Sequence, residues 1–324
     1  MCEYGISAIA GNSDQEKIFF HDDEVLVIDD GSTDATAEIA ERYPAPVRVI
    51  RRRNARQAAS RNFGVQEAKH EWIAFIDADD LWEPNKLERQ MEELERNPAA
   101  DVCYTARVEF TQNGYKQKRG RVTPVPAPDG IRRSLFINTT FMPSSVVIRR
   151  STFLAAGGFD TRYRIVEDWD LWLRLLHRGT VFAGVTEPLL LYRVHPGSVS
   201  HNAYPALMEC KDIYRRHVLP HLSPLTRWLS HQRSQSGQES AAAFVLRRNG
   251  DPRHLPLMAS SILRFPFENP HRYKALAHML YMRARTVGPL VPVAVPSGGA
   301  RPGGAGVVSF PRPSEAGAAK DTAA

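Results

Sequence analysis

The side chains of this sequence that can do chemistry stand in short acidic clusters, each following an apolar run. In Val27-Ile28-Asp29-Asp30-Gly31-Ser32-Thr33-Asp34 the run ends in paired carboxylates, turns at Gly31 and offers Ser32 or Thr33 as a helix N-cap. Carboxylates there can accept hydrogen bonds from a nucleotide base or ribose; capping and turn chemistry alone is the competing reading. In Phe75-Ile76-Asp77-Ala78-Asp79-Asp80 the carboxylates of Asp77 and Asp79 project into one small volume. Like charges that close are costly unless a cation joins them. Mg²⁺ and Mn²⁺ take carboxylate oxygens and share their remaining positions with substrate phosphates. A solvated acidic turn is the alternative. Glu167-Asp168-Trp169-Asp170 opens a helical pattern, and a helix N-terminus favours an ionised carboxylate. Asp168 can therefore serve as a general base or simply as a cap, and Trp169 as core or as a platform for a sugar ring. His195, in Tyr192-Arg193-Val194-His195, can ligate a metal or play a structural part.

These clusters need strand ends to hold them. Val25–Ile28, Val47–Ile50 and Trp72–Ile76 read as buried strands, with helical patterns from Thr33 to Arg42 and from Ala55 to Ala68 between them. This alternation predicts a mostly parallel open sheet flanked by helices, and such sheets bind ligands at the carboxyl ends of their strands. Asp29-Asp30 and Asp77-Asp79 both fall at those ends. Further along, a helix is expected from Glu83 to Arg96 with Pro84 in its first turn, and strands from Asp101 to Phe110 and from Tyr115 onward. Val122 to Asp129 reads as a Pro-rich loop and Ser144 to Arg149 as a strand. A short helix capped by Ser151 should stop at Gly157-Gly158. Asp168 to Arg178 is a helix with Trp169, Trp172, Leu173 and Leu176 on one face, followed by separate strands Val181–Val185 and Leu189–Arg193.

In their order, Val-Ile-Asp-Asp-Gly-Ser-Thr-Asp, Ala-Ser-Arg-Asn, Phe-Ile-Asp-Ala-Asp-Asp, Gly-Gly-Phe-Asp, Glu-Asp-Trp-Asp and Tyr-Arg-x-His resemble the family 2 inverting glycosyltransferases of GT-A fold. The resemblance runs from about Glu24 to Ser200. It implies a Rossmann-like nucleotide-binding fold in which Asp29 and Asp30 sit by uracil and ribose. It implies that Asp77 and Asp79 form the DxD pair, with Asp79 on a Mn²⁺ or Mg²⁺ ion and His195 on the metal or diphosphate. Asp168 would be the catalytic base, Arg61 would lie near the nucleotide with Arg56 a weaker candidate, and the Ser144-Ser145 strand and Gly157-Gly158-Phe159-Asp160 turn would line the acceptor side. The donor would be a nucleotide-sugar, a UDP-sugar by preference, and the acceptor a glycan or lipid-linked.

The 324 residues divide on this reading into a GT-A domain over 1–204, a helical region over 205–288 and a disordered Pro/Gly/Ala-rich tail over 289–324. The composition, 43% apolar and 24% charged, is ordinary for a globular protein. A net charge of +6 suits phosphate-bearing ligands or an anionic membrane surface, and no nucleic-acid partner is expected. Cys2, Cys103 and Cys210 form no CxxC pair, which argues against a zinc site or a disulfide framework. No apolar run reaches the roughly 20 residues of a spanning helix and no signal peptide is visible, so a cytoplasmic enzyme in peripheral contact with the membrane is expected. Rival readings are a catalytically impaired relative that binds without turning over, and a nucleotidyltransferase; the latter should open on a Gly-rich phosphate loop, and none is found.

The resemblance departs at the N-terminus. Only Gly5 to Asn12 can supply the first strand, and the span from Asn12 to Asp29 leaves space for one or two helical turns of about 3.6 residues each. The chain should therefore bind UDP more weakly, in the presence of Mn²⁺, than a chimera carrying a complete first strand and helix. Equal affinities in the two titrations would show the short N-terminus to be sufficient.

Overall fold

The structure, a computed structural model, describes residues 6–10, 24–113, 116–194, 202–266 and 271–286. Its first half alternates β1 (Ile6–Ala10), β2 (Glu24–Asp29), α1 (Thr36–Ala40), β3 (Val47–Arg51), α2 (Arg56–Glu67) and β4 (Trp72–Ile76). The four strands are all parallel, in the order β3-β2-β1-β4. The short first strand is thus inside the sheet; the helix expected after it lies outside the described residues. Every residue of β2 and β4 is buried. Leu26, Ile28, Ile73 and Phe75 enter one apolar core, while Val25, Val27, Trp72, Ala74 and Ile76 enter another. Alternation with apolar residues on both faces is what a strand covered by helices on both sides requires. Ala10 pairs with Val27 on one side and with Ile76 on the other, so the last residue of β4 is level with Val27 and β2 runs two residues further, to Asp29. That register brings Asp29 and Asp77 to the same end of the sheet.

The second half contains β5 (Leu81–Trp82), α3 (Lys86–Arg96), β6 (Ala100–Asn113), β7 (Lys116–Thr123), α4 (Ile131–Leu135), β8 (Val146–Arg149), α5 (Arg150–Ala155), α6 (Glu167–His177) and β9 (Val181–Arg193). The sheet, expected to be mostly parallel, is mixed: β8 runs antiparallel between β4 and β6, and β9 parallel to β6. The reason is where β8 starts. It follows a tight turn at Pro143–Ser145, and the Ser144 hydroxyl accepts the Asp77 N–H at 3.0 Å, so the strand begins where β4 ends and runs back.

Several expected boundaries move. Val181–Val185 and Leu189–Arg193 are one strand, because a register shift between Val185 and Pro188 absorbs the intervening residues as a bulge. The helix expected from Glu83 begins at Lys86, with Leu81–Trp82 pairing to β9 before it, so Pro84 precedes the helix. Ser151 lies inside the first turn of α5, whose cap position is Arg149, and makes no side-chain cap bond. The helix α4 follows a Pro-rich stretch in which no helix is expected. In α6 burial extends beyond one face, since Glu167 to Leu173 are all buried. Trp169 is 1% exposed and donates its indole N–H to the Leu135 carbonyl at 2.7 Å, which makes it core and removes it as a sugar platform.

Helices dominate from residue 203: α7 (Ala203–Ile213), a π-helical turn Tyr214–Val218, α8 (Pro224–Arg248), α9 (His254–Arg264) and α10 (His271–Thr286). Ser223 caps α8 by accepting the Thr226 N–H, with Pro224 next in line. Ile213, Tyr214 and Val218 belong to the same apolar core as β2, β4 and α6, so the start of this region is continuous with the sheet's own packing. Among the described residues no helix is long and apolar enough to cross a membrane. The tail expected to be disordered lies outside the described residues.

Glu239 on α8 is buried and holds α7 and α9 together. It accepts from Lys211 Nζ at 2.8 Å, Ser260 Oγ at 2.8 Å and Arg264 at 3.3 Å. Burial resists its ionisation, but these partners outweigh that and hold its carboxyl below the usual range. Glu239→Ala should lower stability by about 1–3 kcal/mol, since the cations lose their shared partner. Urea unfolding measures it, and an unchanged midpoint would show that the helices do not depend on this carboxylate.

Candidate active site

The turn after β2 is closed by its own acids. Asp29 is buried and accepts the Ser32 N–H at 3.0 Å across Gly31, whose φ of +86° suits glycine. Asp30 accepts the Ala55 N–H at 3.0 Å and the Arg56 N–H at 2.7 Å. Ala55 occupies the cap position of α2 and has no side chain able to cap, so Asp30 supplies that service from the turn after β2. Arg56, drawn in by this contact, has a φ of +75°, a strained value for a non-glycine residue.

α2 then carries Arg61 under the end of β4. Its guanidinium is buried and paired with Asp77 on one side and with Glu167 Oε1 at 2.8 Å on the other. Burial pulls the guanidinium toward neutrality, but Asp77 and Glu167 outweigh it and hold it firmly charged. The next residue, Asn62, grips the turn after α5: its amide donates to the Phe159 carbonyl and accepts the Phe159 N–H, both at 2.8 Å. Gly158 there has a φ of +67°, and a Cβ on it would lie 2.5 Å from Asn62 Oδ1. Arg174 on α6 braces the same turn by donating to the Gly158 carbonyl at 2.6 Å while pairing with buried Asp170 at 2.7 Å.

Asp168, at the start of α6, is buried. Its Oδ2 accepts from Thr139 Oγ1 at 3.2 Å and its Oδ1 from the Trp169 N–H at 2.7 Å. Burial, reinforced by the charge of Glu167, pushes its carboxyl up to about 7. The expectation that the helix start would favour its ionised form is thereby corrected, since desolvation outweighs the helix end. Burial also raises Glu167, whose Oε2 is shut from water and has no hydrogen-bond partner.

At the end of β4, Asp80 is buried and accepts the Arg193 N–H at 3.1 Å, and Arg193 Nε donates to the Asp79 carbonyl at 2.6 Å. The last residues of β9 are thereby pinned to the acidic turn. His195 lies outside the described residues. Asp77 retains 32% side-chain exposure and Asp79 is half-buried, so both remain within reach of a ligand. Among the described residues no group of three or more His, Cys, Asp or Glu side chains could hold a metal by itself. Hard carboxylate oxygens in this number fit a Mg²⁺ or Mn²⁺ ion that takes its remaining ligands from substrate phosphates and water.

The structure therefore joins Asp77, Arg61 and Glu167 directly, with Asp168 next in the chain to Glu167 and bonded to Thr139. It turns Asp29 and Asp30 onto backbone N–H groups and fills both sides of Arg61 with carboxylates. Glu167, Asp80, Ser144, Thr139 and Arg193 take part in this network without having been singled out for these contacts from sequence. Glu167 and Asp80 stood inside recognised motifs, which was a usable signal; nothing in sequence marked Thr139.

Residues 8–155 match the family described as Glycosyl transferase family 2. The chain is 31% identical over 175 residues to an uncharacterized glycosyltransferase of Haemophilus influenzae, covering 53% of this chain and 58% of that protein's length. It is 30% identical over 196 residues to the Escherichia coli UDP-Glc:alpha-D-GlcNAc-diphosphoundecaprenol beta-1,3-glucosyltransferase WfaP, covering 59% of this chain and 74% of WfaP. In fold it is similar to S. aureus TarS 1-349 in complex with UDP-GlcNAc, with a TM-score of 0.54, 16% identity and 87% of each chain covered.

Removing Arg61 leaves the buried Glu167 carboxylate without its ion partner and frees Asp77. Arg61→Met should lower stability by about 3–5 kcal/mol, the usual cost of stranding a buried charge. Chemical denaturation checks this, and a loss below about 1 kcal/mol would mean that the pairing does little for the fold.

Proposed function

The chain belongs to glycosyl transferase family 2, and on that premise we propose that it transfers a sugar from a nucleotide-sugar, a UDP-sugar by preference, to a glycan or lipid-linked acceptor with inversion at the anomeric carbon. The observation that carries this reading is the joining of the acidic end of β4 to the start of α6 through Arg61, which pairs with Asp77 and Glu167 and brings Asp168, the residue after Glu167, close to the same guanidinium. WfaP's name specifies a sugar linked to diphosphoundecaprenol, and that likeness supports a place in polysaccharide or cell-envelope glycan synthesis.

In the proposed reaction ionised Asp168 accepts the proton of an acceptor hydroxyl. The oxygen bonds to the anomeric carbon as the carbon's bond to the diphosphate oxygen breaks, and that electron pair leaves with the nucleoside diphosphate. Thr139 orients the Asp168 carboxylate. Asp29, Asp30 and Arg61 shape the nucleotide side through the turns they hold. A Mn²⁺ or Mg²⁺ ion held by Asp79, with His195 as a second ligand, would supply positive charge to the departing diphosphate.

A binding-only relative is the competing reading. It is favoured by the occupation of Asp30 and Arg61 within the protein itself. Metal-dependent hydrolysis in a panel of nucleotide-sugars separates the two, and no hydrolysis of any donor with Mn²⁺ would leave the binding-only reading. Weak attachment to the inner face of the membrane is also proposed for the helical region, where Trp228 is 67% and Leu263 84% exposed among arginines. Failure to co-sediment with anionic vesicles at low salt removes it.

Asp168 works as a base only when ionised, and its carboxyl sits near 7 beside Glu167, Arg61, Thr139 and Cys210. Turnover should therefore rise with pH, by about tenfold per unit below 7, and level off above it. Asp168→Asn should keep donor binding and lose about 10²-fold or more in kcat, along with that limb. Near-normal transfer by the variant would reduce Asp168 to a helix cap. Asp79→Ala should abolish the Mn²⁺-dependent part of UDP binding, and an unchanged affinity would remove Asp79 from the metal.

A further inference from the structure

A cavity of about 720 Å³ lies between the segment that follows α4 and the helices α7 and α8. Its wall is largely apolar, with Phe136, Leu207, Val218, Leu222 and Val245 among its lining residues. Among the described residues the lining includes Arg133 and Arg233 and no Asp or Glu. At one end it adjoins the candidate base. Phe136, Ile137 and Asn138 line the cavity, and the next residue, Thr139, donates to the Asp168 carboxylate. On the other side the cavity is lined by Cys210, whose thiol is raised to about 12, first by burial and then by the nearby Asp168 charge. The lining also includes Gln238, whose side-chain amide donates to the Ser234 hydroxyl at 3.2 Å.

We propose that this cavity is the acceptor site and that it receives an aliphatic chain bearing a phosphate, with the sugar end directed along residues 136–139 toward Asp168. The inference rests on the reading of Asp168 as the base. Apolar walls recover the hydrophobic free energy of the chain. Arg133 and Arg233 bring positive charge to the anionic head, and no carboxylate stands among the described lining residues to repel it. The volume is that of a site for a ligand of drug size, so it accommodates the part of a long prenyl chain nearest the phosphate. A free glycan, polar all over, gains nothing from such walls.

Farnesyl phosphate, farnesol and inorganic phosphate are the probes, titrated into the full chain without donor. Farnesyl phosphate should bind at least tenfold more tightly than either of the others. Ala241→Trp, which fills the cavity from α8, should weaken farnesyl phosphate tenfold or more, with folding checked by thermal melting. The double variant Arg133→Gln/Arg233→Gln should weaken farnesyl phosphate several-fold and leave farnesol unaffected. Should Ala241→Trp fail to fold, a photoreactive diazirine analogue of farnesyl phosphate on the unmodified chain decides: its cross-links should fall within 133–138, 203–222 and 230–245. Cross-links elsewhere, equal binding of inorganic phosphate and farnesyl phosphate, or full affinity in Ala241→Trp overturns the assignment. Failed probe binding by a chain that still hydrolyses a nucleotide-sugar overturns the cavity alone, whereas failed hydrolysis overturns the reading on which it rests.

Discussion

A guanidinium shut away from water must be met by carboxylates, and Arg61 is met by two that come from distant parts of the chain. Asp77 ends β4 and Glu167 begins α6, 106 residues from Arg61. Glu167 could not be held at its depth without the cation, and the cation could not be buried without carboxylates to meet it. The pairing therefore requires α2, β4 and α6 to converge at one point, and Asp168 follows Glu167 into that point. The network also has an electrostatic cost. Burial first, and then the crowding of carboxylates around one cation, leaves Asp168 and Glu167 harder to ionise than usual. A base with a carboxyl near 7 abstracts a proton more readily than one near 4, so the expense of burial is also what suits Asp168 to its proposed work.

Around that point the backbone is held by side chains that bond to it directly. Asp30 caps α2 from the turn after β2, and Asn62 locks the turn at Gly158. Ser144 starts β8 at the end of β4, and Asp80 pins β9. Each of these polar groups satisfies backbone donors or acceptors that the loops leave open. The loops at the carboxyl ends of the strands are thus fixed by interactions between loops, while the strands beneath are fixed by apolar burial on both faces. Rigidity under the site and polarity on its surface follow from one division of labour.

The helical region enters the same logic from the side. Ile213, Tyr214 and Val218 complete the core beneath α6, so α7 is as much a part of the catalytic half as α5 is. Beyond them the helices diverge enough to leave a cavity beside residues 136–139. Thr139, in the segment after α4, donates to Asp168, and Cys210 on α7 lies close enough to feel its charge.

What the sequence determined by itself was local. Apolar runs of strand length, their alternation with helical patterns and the acids at their ends marked the parallel half of the sheet and placed Asp29, Asp30, Asp77 and Asp79 at one edge, because strand periodicity and burial are properties of neighbours in the chain. The order of the motifs carried the family. Tertiary structure alone decided the direction of β8, since a four-residue apolar strand reads the same in either sense. It alone made one bulged strand of β9, decided Trp169 as core where the sequence left core and platform open, and turned Arg61 and Asp30 onto partners within the protein. It alone raised Asp168, because desolvation depends on everything packed around a group, whereas the helix end that suggested the opposite shift is visible in sequence. Ion pairs across a hundred residues and the cavity beside Thr139 have no local signature, because they exist only where separate elements meet.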